Sequence, residues 1–386
     1  MRCALVGAFH FPHAQGSQVF AGDQALGLAK LGCEVEMLCY GSEESSPGIT
    51  RIAINPRLAP RSARSGPHFK KPVADLALAR SIVVRHRANR FDVVLAHNAE
   101  AAVAALVARP FTRAPVIYVA HTLMQNELSA YAHSSLQLPI DRLGRGIDRA
   151  IARRVDAILV LCDAARAELE PHCRGPVDII PPGLDPGPAP DLETCRRACA
   201  RAGVHPGNFT LYAGNLDPYQ DLSRLAGAAR HLAKAGHVVL VASHETNPKL
   251  QNQADPLRWF SVRDFEEMRS LIFSASELVL TRTRQGGFPV KLLNYMESGR
   301  PIVAFEGLAP GLRHGESAWL LPPKAGAEEI AQALATLRRE PDLADRLGSA
   351  GRRHLEQHHG ASLRAQQTLD LARRTAARAS HKAPPR

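Results

Sequence analysis

The chain has 386 residues, 45% of them apolar and 22% charged, with 48 Lys and Arg against 37 Asp and Glu for a net charge of +11. This is the balance of an ordinary globular protein of two or three domains, and it excludes disordered, collagen-like and low-complexity chains. The cationic excess points to a polyanionic neighbour: nucleic acid, an anionic membrane face or a phosphorylated ligand.

The predicted elements alternate from the start. Residues 3–8 read as a strand, 9–17 as a loop, and Ser17 as the N-cap of a helix that carries Val19, Leu26, Leu28 and Leu31 and stops at Gly32. Strand 34–39 follows. Then come helix 73–88, strand 92–96, helix 100–108, strand 116–120, helix 142–153, strand 157–162, helix 163–170 and strand 177–180. Residues 181–190 hold five prolines and two glycines, the composition of a hinge. A short helix 191–202 is expected next. The pattern restarts with strand 209–213, helix 221–235, strand 237–242, helix 263–275, strand 277–283, loop 284–288, helix 289–298 and strand 301–305. Ser261 and Asp264 resemble a capping box for helix 263–275. Helix 326–338 and further helices close the chain. Strands alternating with helices give parallel sheets covered on both faces. The domains expected are 1–182, a linker 183–207, then 208–360, with a helix and a basic, fraying tail over 361–386.

Seven cysteines (3, 33, 39, 162, 173, 195 and 199) are scattered, with no Cys-x-x-Cys, and read as buried thiols in a reducing compartment. No apolar run approaches the ~20 residues of a membrane span. His10, Pro12 and His13 break the first apolar run too early for a leader, so a cytoplasmic location is expected.

In sheets of this kind ligands bind beyond the carboxyl ends of the strands, and the cleft between two such halves is the expected active site. The loops there offer His10, Gly16, His97, Asn98 and His121 in the first half, and Asn215 and residues 282–291 in the second. Gly16-Ser17 opens a helix whose N–H groups suit a phosphate. Gly286-Gly287-Phe288-Pro289 also leads into a helix, with Arg282, Arg284 and Lys291 converging on it. Of His10, His97 and His121, one is expected to touch the reacting group. No metal-ligand spacing, Gly-x-Ser-x-Gly elbow or Walker motif occurs, so no metal or cofactor is expected.

Several motifs together resemble the family 4 glycosyltransferases, over nearly the whole chain. They are Phe11-Pro12 through Gly16-Ser17, residues 92–98, Val119-Ala120-His121, residues 181–185, Gly287-Phe288-Pro289 and residues 299–304. The resemblance implies the GT-B fold, an α/β architecture of two Rossmann-like domains facing across a cleft. It implies transfer of sugar from a nucleotide diphosphate sugar, with retained configuration and without metal. The donor would sit on the C-terminal domain and the acceptor on the N-terminal one. Gly16 and Ser17 would lie near the diphosphate, and His121 near the transferred sugar as the catalytic candidate. His97, Asn98 and Glu127 would serve the acceptor.

The chain departs from the family pattern twice. The usual paired Glu fall on Gly286 and Asn294. The usual Arg and Lys after the first C-terminal strand fall on Asn215 and Gln220. Lys291, helped by Arg282 or Arg284, is expected to take over the diphosphate charge. Asn294 would meet the ribose and Gln285 the sugar hydroxyls, while Gly286, Gly287, Phe288, Pro289, Leu292 and Asn215 complete the donor site.

Residues 57–90 carry nine Lys or Arg against Asp75 alone, with Leu58, Phe69, Val73, Leu76, Leu78 and Ile82 interleaved. Such a segment suits an anionic bilayer. At 5% aromatic residues, with no aromatic platform beside the basic run, nucleic acid is not expected. The reading is a peripheral membrane glycosyltransferase extending a lipid-linked saccharide for a surface polysaccharide. A soluble small-molecule acceptor, or a non-catalytic partner subunit, are the alternatives.

Overall fold

The computed structural model describes residues 1–12, 16–41, 49–59, 71–130, 137–244, 256–282 and 287–382. It divides into two compact units: Met1–Gly183 with Gly286–Phe288 and Ala361–Arg386, and Leu184–Gln285 with Pro289–Gly360.

The first unit runs β1 (Arg2–His10), α1 (Gly16–Lys30), β2 (Glu34–Tyr40), β3 (Ile49–Ala53), α2 (Lys71–Ala88), β4 (Val93–His97), α3 (Asn98–Thr112), β5 (Val116–Ala120), α4 (Met124–Ala130), α5 (Gln137–Ala152), β6 (Ala157–Val160), α6 (Asp163–Leu169) and β7 (Val177–Ile179). Its seven strands lie in the order β3-β2-β1-β4-β5-β6-β7, all parallel. The strands are buried almost without interruption, as a parallel sheet covered on both faces requires. One face packs Ala4, Val6, Val94, Ala96, Val116 and Tyr118 against α2, α3 and α5.

The second unit runs α7 (Leu192–Ala202), β8 (Phe209–Ala213), α8 (Leu222–Ala233), β9 (Val238–Ser243), β10 (Leu257–Ser261), α9 (Phe265–Ser274), β11 (Glu277–Leu280), α10 (Lys291–Ser298), β12 (Ile302–Phe305), β13 (Trp319–Leu321), α11 (Ala327–Arg339) and α12 (Pro341–His358). Its six parallel strands are ordered β10-β9-β8-β11-β12-β13.

Four local expectations need correcting. Ser17 is not an N-cap, because α1 already begins at Gly16. Ser261 ends β10, and Asp264 alone caps α9, its carboxylate accepting from Glu267 N at 2.9 Å. Strands β3, β10 and β13 were not anticipated. The basic C-terminus does not fray over its described length. It forms α13 (Ala361–Lys382), which returns to α1: Gly27 leaves room for Ala365, and Gln24 Nε2 donates to Thr368 Oγ1 at 3.3 Å. The cysteines are unpaired, five buried and two half-buried.

Candidate functional site

Strand order reverses between β1 and β4 in one sheet and between β8 and β11 in the other. The loops that leave neighbouring strands there diverge, opening a crevice at the carboxyl edge. The candidate residues gather at these edges: His10, Gly16, His97, Asn98 and His121 in the first unit, Asn215 and Arg282 in the second.

In the first unit, His97 ends β4 and His121 follows β5, so their side chains meet on adjacent strands. His97 Nδ1 and His121 Nε2 share a hydrogen bond of 2.8 Å. Both are buried, and Phe20 lies edge-on to each ring. Burial drives His121 down to about 3, and burial together with its neighbour holds His97 well below the usual imidazole range. The pair is therefore neutral at physiological pH. Among the described residues, His97 Nε2 has no hydrogen-bond partner. His10 stands apart, edge-on to Tyr40 at 5.8 Å. Gly16 lies exposed at the start of α1, where the first-turn N–H groups point out of the helix. Asn98 opens α3 at φ 69, in the left-handed region that asparagine tolerates.

Glu127 is half-buried on α4, and burial beside Glu100 pushes its carboxyl up to about 7. The helix that carries it is held by Asp148 of α5, whose carboxylate accepts from Met124 N at 3.0 Å and Gln125 N at 3.2 Å. Gly144 permits this approach, since a Cβ there would lie 2.5 Å from Gln125 Cα.

In the second unit, Lys291 is the first residue of α10. One turn on, Tyr295 is buried, its hydroxyl accepting from Ala213 N at 2.8 Å, which fixes α10 to the end of β8. Lys291 Nζ then donates to Tyr212 Oη at 2.7 Å and to Gln220 Oε1 at 3.4 Å, and lies 4.1 Å from the Tyr212 ring centroid. Gly214 is required here: its φ is +140, and a Cβ would sit 2.5 Å from Lys291 Nζ. Burial and the nearby Arg282 push the ammonium down to about 7, against the opposing pull of Asp217. Asn215 knits the loop together. It receives Gln220 Nε2 at 2.8 Å and Tyr212 Oη on its carbonyl at 2.7 Å, and donates to Tyr219 Oη at 3.1 Å. Arg282 is buried and lies 6.0 Å from the centre of the Tyr219 ring.

Phe288, Pro289 and Leu292 are buried, Asn294 is half-buried and Gly287 has φ +81. Arg284, Gln285 and Gly286 lie outside the described residues. Sequence reasoning missed Tyr212, Tyr219 and Tyr295 as parts of the site. The four-residue step from Lys291 to Tyr295, one helical face, was the available signal.

The basic segment is also redistributed. Leu78 and Ile82 are core residues, Lys71 is paired with Glu100 at 2.9 Å, and Arg85 with Glu36 at 2.8 Å. Arg61, Arg64, Phe69 and Lys70 lie outside the described residues. Exposed on α2 are Val73, Leu76, Arg80, Val84 and Arg87. Among the described residues, no group of three or more His, Cys, Asp or Glu side chains is placed to hold a metal, and no helix is long and apolar enough to cross a membrane.

Comparison with known proteins agrees with this architecture. Residues 14–187 match the model of Glycosyltransferase Family 4, and residues 207–340 that of Glycosyl transferases group 1. D-inositol 3-phosphate glycosyltransferase of Mycolicibacterium paratuberculosis is 25% identical over 85% of this chain and 78% of its own length. The Kribbella flavida enzyme of the same name is 25% identical over 94% and 91%. Among solved structures, sucrose-phosphate synthase from Thermosynechococcus elongatus superposes with a TM-score of 0.79 at 18% identity, covering 98% of this chain and 100% of that one. Anabaena HepE in complex with UDP-glucose gives 0.69 at 15% identity, covering 95% and 98%. The chain belongs to the family 4 glycosyltransferases, an enzyme of the GT-B fold that transfers sugar from a nucleotide sugar.

Proposed function

We propose that the donor is a nucleotide diphosphate sugar whose diphosphate is met by protein cations, and that the acceptor is a lipid-linked saccharide reached from an anionic membrane surface. The placement of Lys291 carries the donor half. Its ammonium sits over Gly214, beside Gln220 and near Arg282, at the switch point of the second sheet. An acceptor hydroxyl attacks the anomeric carbon as the bond from that carbon to the phosphate oxygen breaks. The hydroxyl proton passes to the departing phosphate, and the nucleoside diphosphate leaves. Charge develops on that phosphate, and fixed cations stabilise it there more than in the ground state. His121, oriented by His97, faces the sugar as a neutral hydrogen-bonding group, and Gly16 and Ser17 offer helix N–H groups to the diphosphate. Configuration is retained, and activity is expected to survive a metal chelator.

The membrane half rests on α2 and α3, which pack side by side. Val73, Leu76, Arg80, Val84 and Arg87 fall at steps of 3, 4, 4 and 3 residues along one exposed face of α2. The outward residues of α3, Val103, Val107 and Phe111, are 45%, 49% and 64% exposed. Apolar side chains flanked by arginines suit the headgroup region of an anionic bilayer. The names of the curated relatives favour a second reading, a soluble phosphorylated acceptor.

Flotation separates them. The protein is expected to float with phosphatidylglycerol vesicles and not with phosphatidylcholine vesicles, and Leu76→Glu with Val84→Glu to abolish flotation. A protein that stays in the dense fraction with both, while glycosylating a soluble acceptor, establishes the second reading.

A further inference from the structure

Tyr212 lies on β8, the strand between β9 and β11, and is fully buried. Its hydroxyl donates its one proton to the Asn215 carbonyl at 2.7 Å. Toward Lys291 the phenol oxygen is therefore an acceptor, and Nζ donates to it at 2.7 Å. A second acceptor is aimed in the same way. Gln220 Nε2 donates to Asn215 Oδ1 at 2.8 Å, which turns Gln220 Oε1 toward Nζ, 3.4 Å away. Asn215 thus orients both acceptors of the lysine, one through its carbonyl and one through its side chain.

The proton count decides what is left for a ligand. A neutral amine has two N–H groups, and the two acceptors use both. An ammonium has three. Among the described residues, Tyr212 and Gln220 are the hydrogen-bond acceptors that meet Nζ, so the charged form keeps one proton for a ligand oxygen. The Tyr212 ring also favours the cation, its centroid 4.1 Å from Nζ. Two charged groups face Nζ from other elements: Arg282, after β11, opposes the ammonium, and Asp217, in the loop after β8, favours it. Tyr295, one turn along α10, is occupied with Ala213. The bond to the phenol oxygen is stronger from an ammonium than from an amine, so it works against the burial that discharges Lys291.

On the donor reading above, in which Lys291 meets the diphosphate, we propose that Tyr212 and Gln220 are positioning residues for sugar transfer: they hold Lys291 Nζ between β8 and α10 and leave one of its protons for a diphosphate oxygen. Both act through Lys291. The lysine stem has four rotatable carbons, and its free ammonium would otherwise sample many positions. Held by two oriented acceptors, it is placed before the nucleotide arrives, and the nucleotide completes the set of three.

The test is Tyr212→Phe, which keeps the ring and removes the oxygen. The probe is whichever of UDP, GDP and ADP binds the full chain, titrated by calorimetry from pH about 5 to about 8. Losing one hydrogen bond to the charged form should bring the Lys291 midpoint from about 7 to about 6. Relative to the wild type, affinity should then be almost unchanged at pH about 5, about fivefold lower at pH about 7 and about ninefold lower at pH about 8, because the neutral fraction that must be protonated grows with pH. Two buffers of different ionisation enthalpy give a second readout: at pH about 7, proton uptake by Lys291 should rise from about one half to about nine-tenths per nucleotide. Gln220→Leu loses the longer bond and should move the profile the same way by a smaller step. A merely structural role gives a ratio to the wild type that is the same at every pH, with unchanged proton uptake, and that result with Tyr212→Phe overturns the proposal. If Tyr212→Phe does not fold, the same result with Gln220→Leu overturns it. Lys291→Met separates this inference from the donor reading. Wild-type affinity that ignores pH above the midpoint, equal binding by Lys291→Met, or no binding of any of the three nucleotides refutes the donor reading and the inference with it. A wild-type pH dependence that disappears in Lys291→Met, beside a flat ratio for the other two variants, refutes the inference alone.

Discussion

Replacing Lys291 with methionine keeps the length of the side chain and removes its charge. Near its midpoint of about 7 the ammonium is half protonated in the free protein, and one pH unit higher it is about nine-tenths neutral. A diphosphate placed against Nζ favours the charged form, so binding at pH about 8 should draw close to one proton from the buffer. Calorimetry in two buffers of different ionisation enthalpy reads that proton directly. The nucleoside diphosphate that binds should show a buffer-dependent enthalpy with the wild type and none with Lys291→Met. Its affinity should fall in the variant by about ten- to a hundredfold at neutral pH, one charge-assisted bond being worth about 1.5–3 kcal/mol. For the wild type, affinity should also fall with rising pH above the midpoint, because the neutral amine must first be protonated. An enthalpy independent of buffer, or equal affinities of wild type and Lys291→Met, would refute the assignment of Lys291 to the diphosphate.

Two further outcomes follow from the same geometry. Gly214→Ala places a methyl group at φ +140 and 2.5 Å from Lys291 Nζ; it should lower the unfolding temperature and displace Lys291, so that nucleotide no longer stabilises the fold in a thermal-shift assay. His97→Leu leaves His121 Nε2 buried without its partner and should cost about 1–3 kcal/mol in urea unfolding. The folded imidazoles protonate below their unfolded value of about 6.5, so the pair's contribution is complete above that pH and is lost as pH falls. The wild-type advantage over His97→Leu should therefore narrow on acidification, and an advantage that widens instead would sink the neutral-pair assignment.

What the sequence disclosed depended on how much each element buries. The central strands were plain because β4, β5 and β8 are apolar runs buried on both faces. The three strands that went unseen, β3, β10 and β13, all lie at sheet edges. An edge strand shields less of its length, and residues such as Arg51 and Arg258 disguise it. Lys291 was legible because the cations and carboxylates usual in this family were missing from their places. Its partners were not. Tyr212 reads as one more apolar position of β8, and only the fold brings it to a helix 79 residues later in the chain. Lys71 was misread for the same reason. Counting charges in a window of sequence made it a surface cation, whereas its partner Glu100 stands 29 residues away.

The two departures from the family pattern become one rearrangement in the structure. Where a basic residue usually follows the first C-terminal strand, Gln220 occupies the position, and Lys291 Nζ reaches it from α10. On the donor reading proposed above, the positive charge comes from a helix instead of a loop, and its end point lies beside that loop. A helix clamped by Tyr295 holds that charge in place before the ligand arrives, which lowers the ordering cost of binding. The same burial that fixes it also discharges it, since a desolvated ammonium near Arg282 gives up its proton close to neutrality. A cation that is half-charged at rest attracts little from a distance. Long-range attraction of an anionic donor must then come from the net charge of +11 carried by the chain as a whole. On the donor reading proposed above, Lys291 would become fully charged only against the phosphate, and so would contribute most once the negative charge is already in the site.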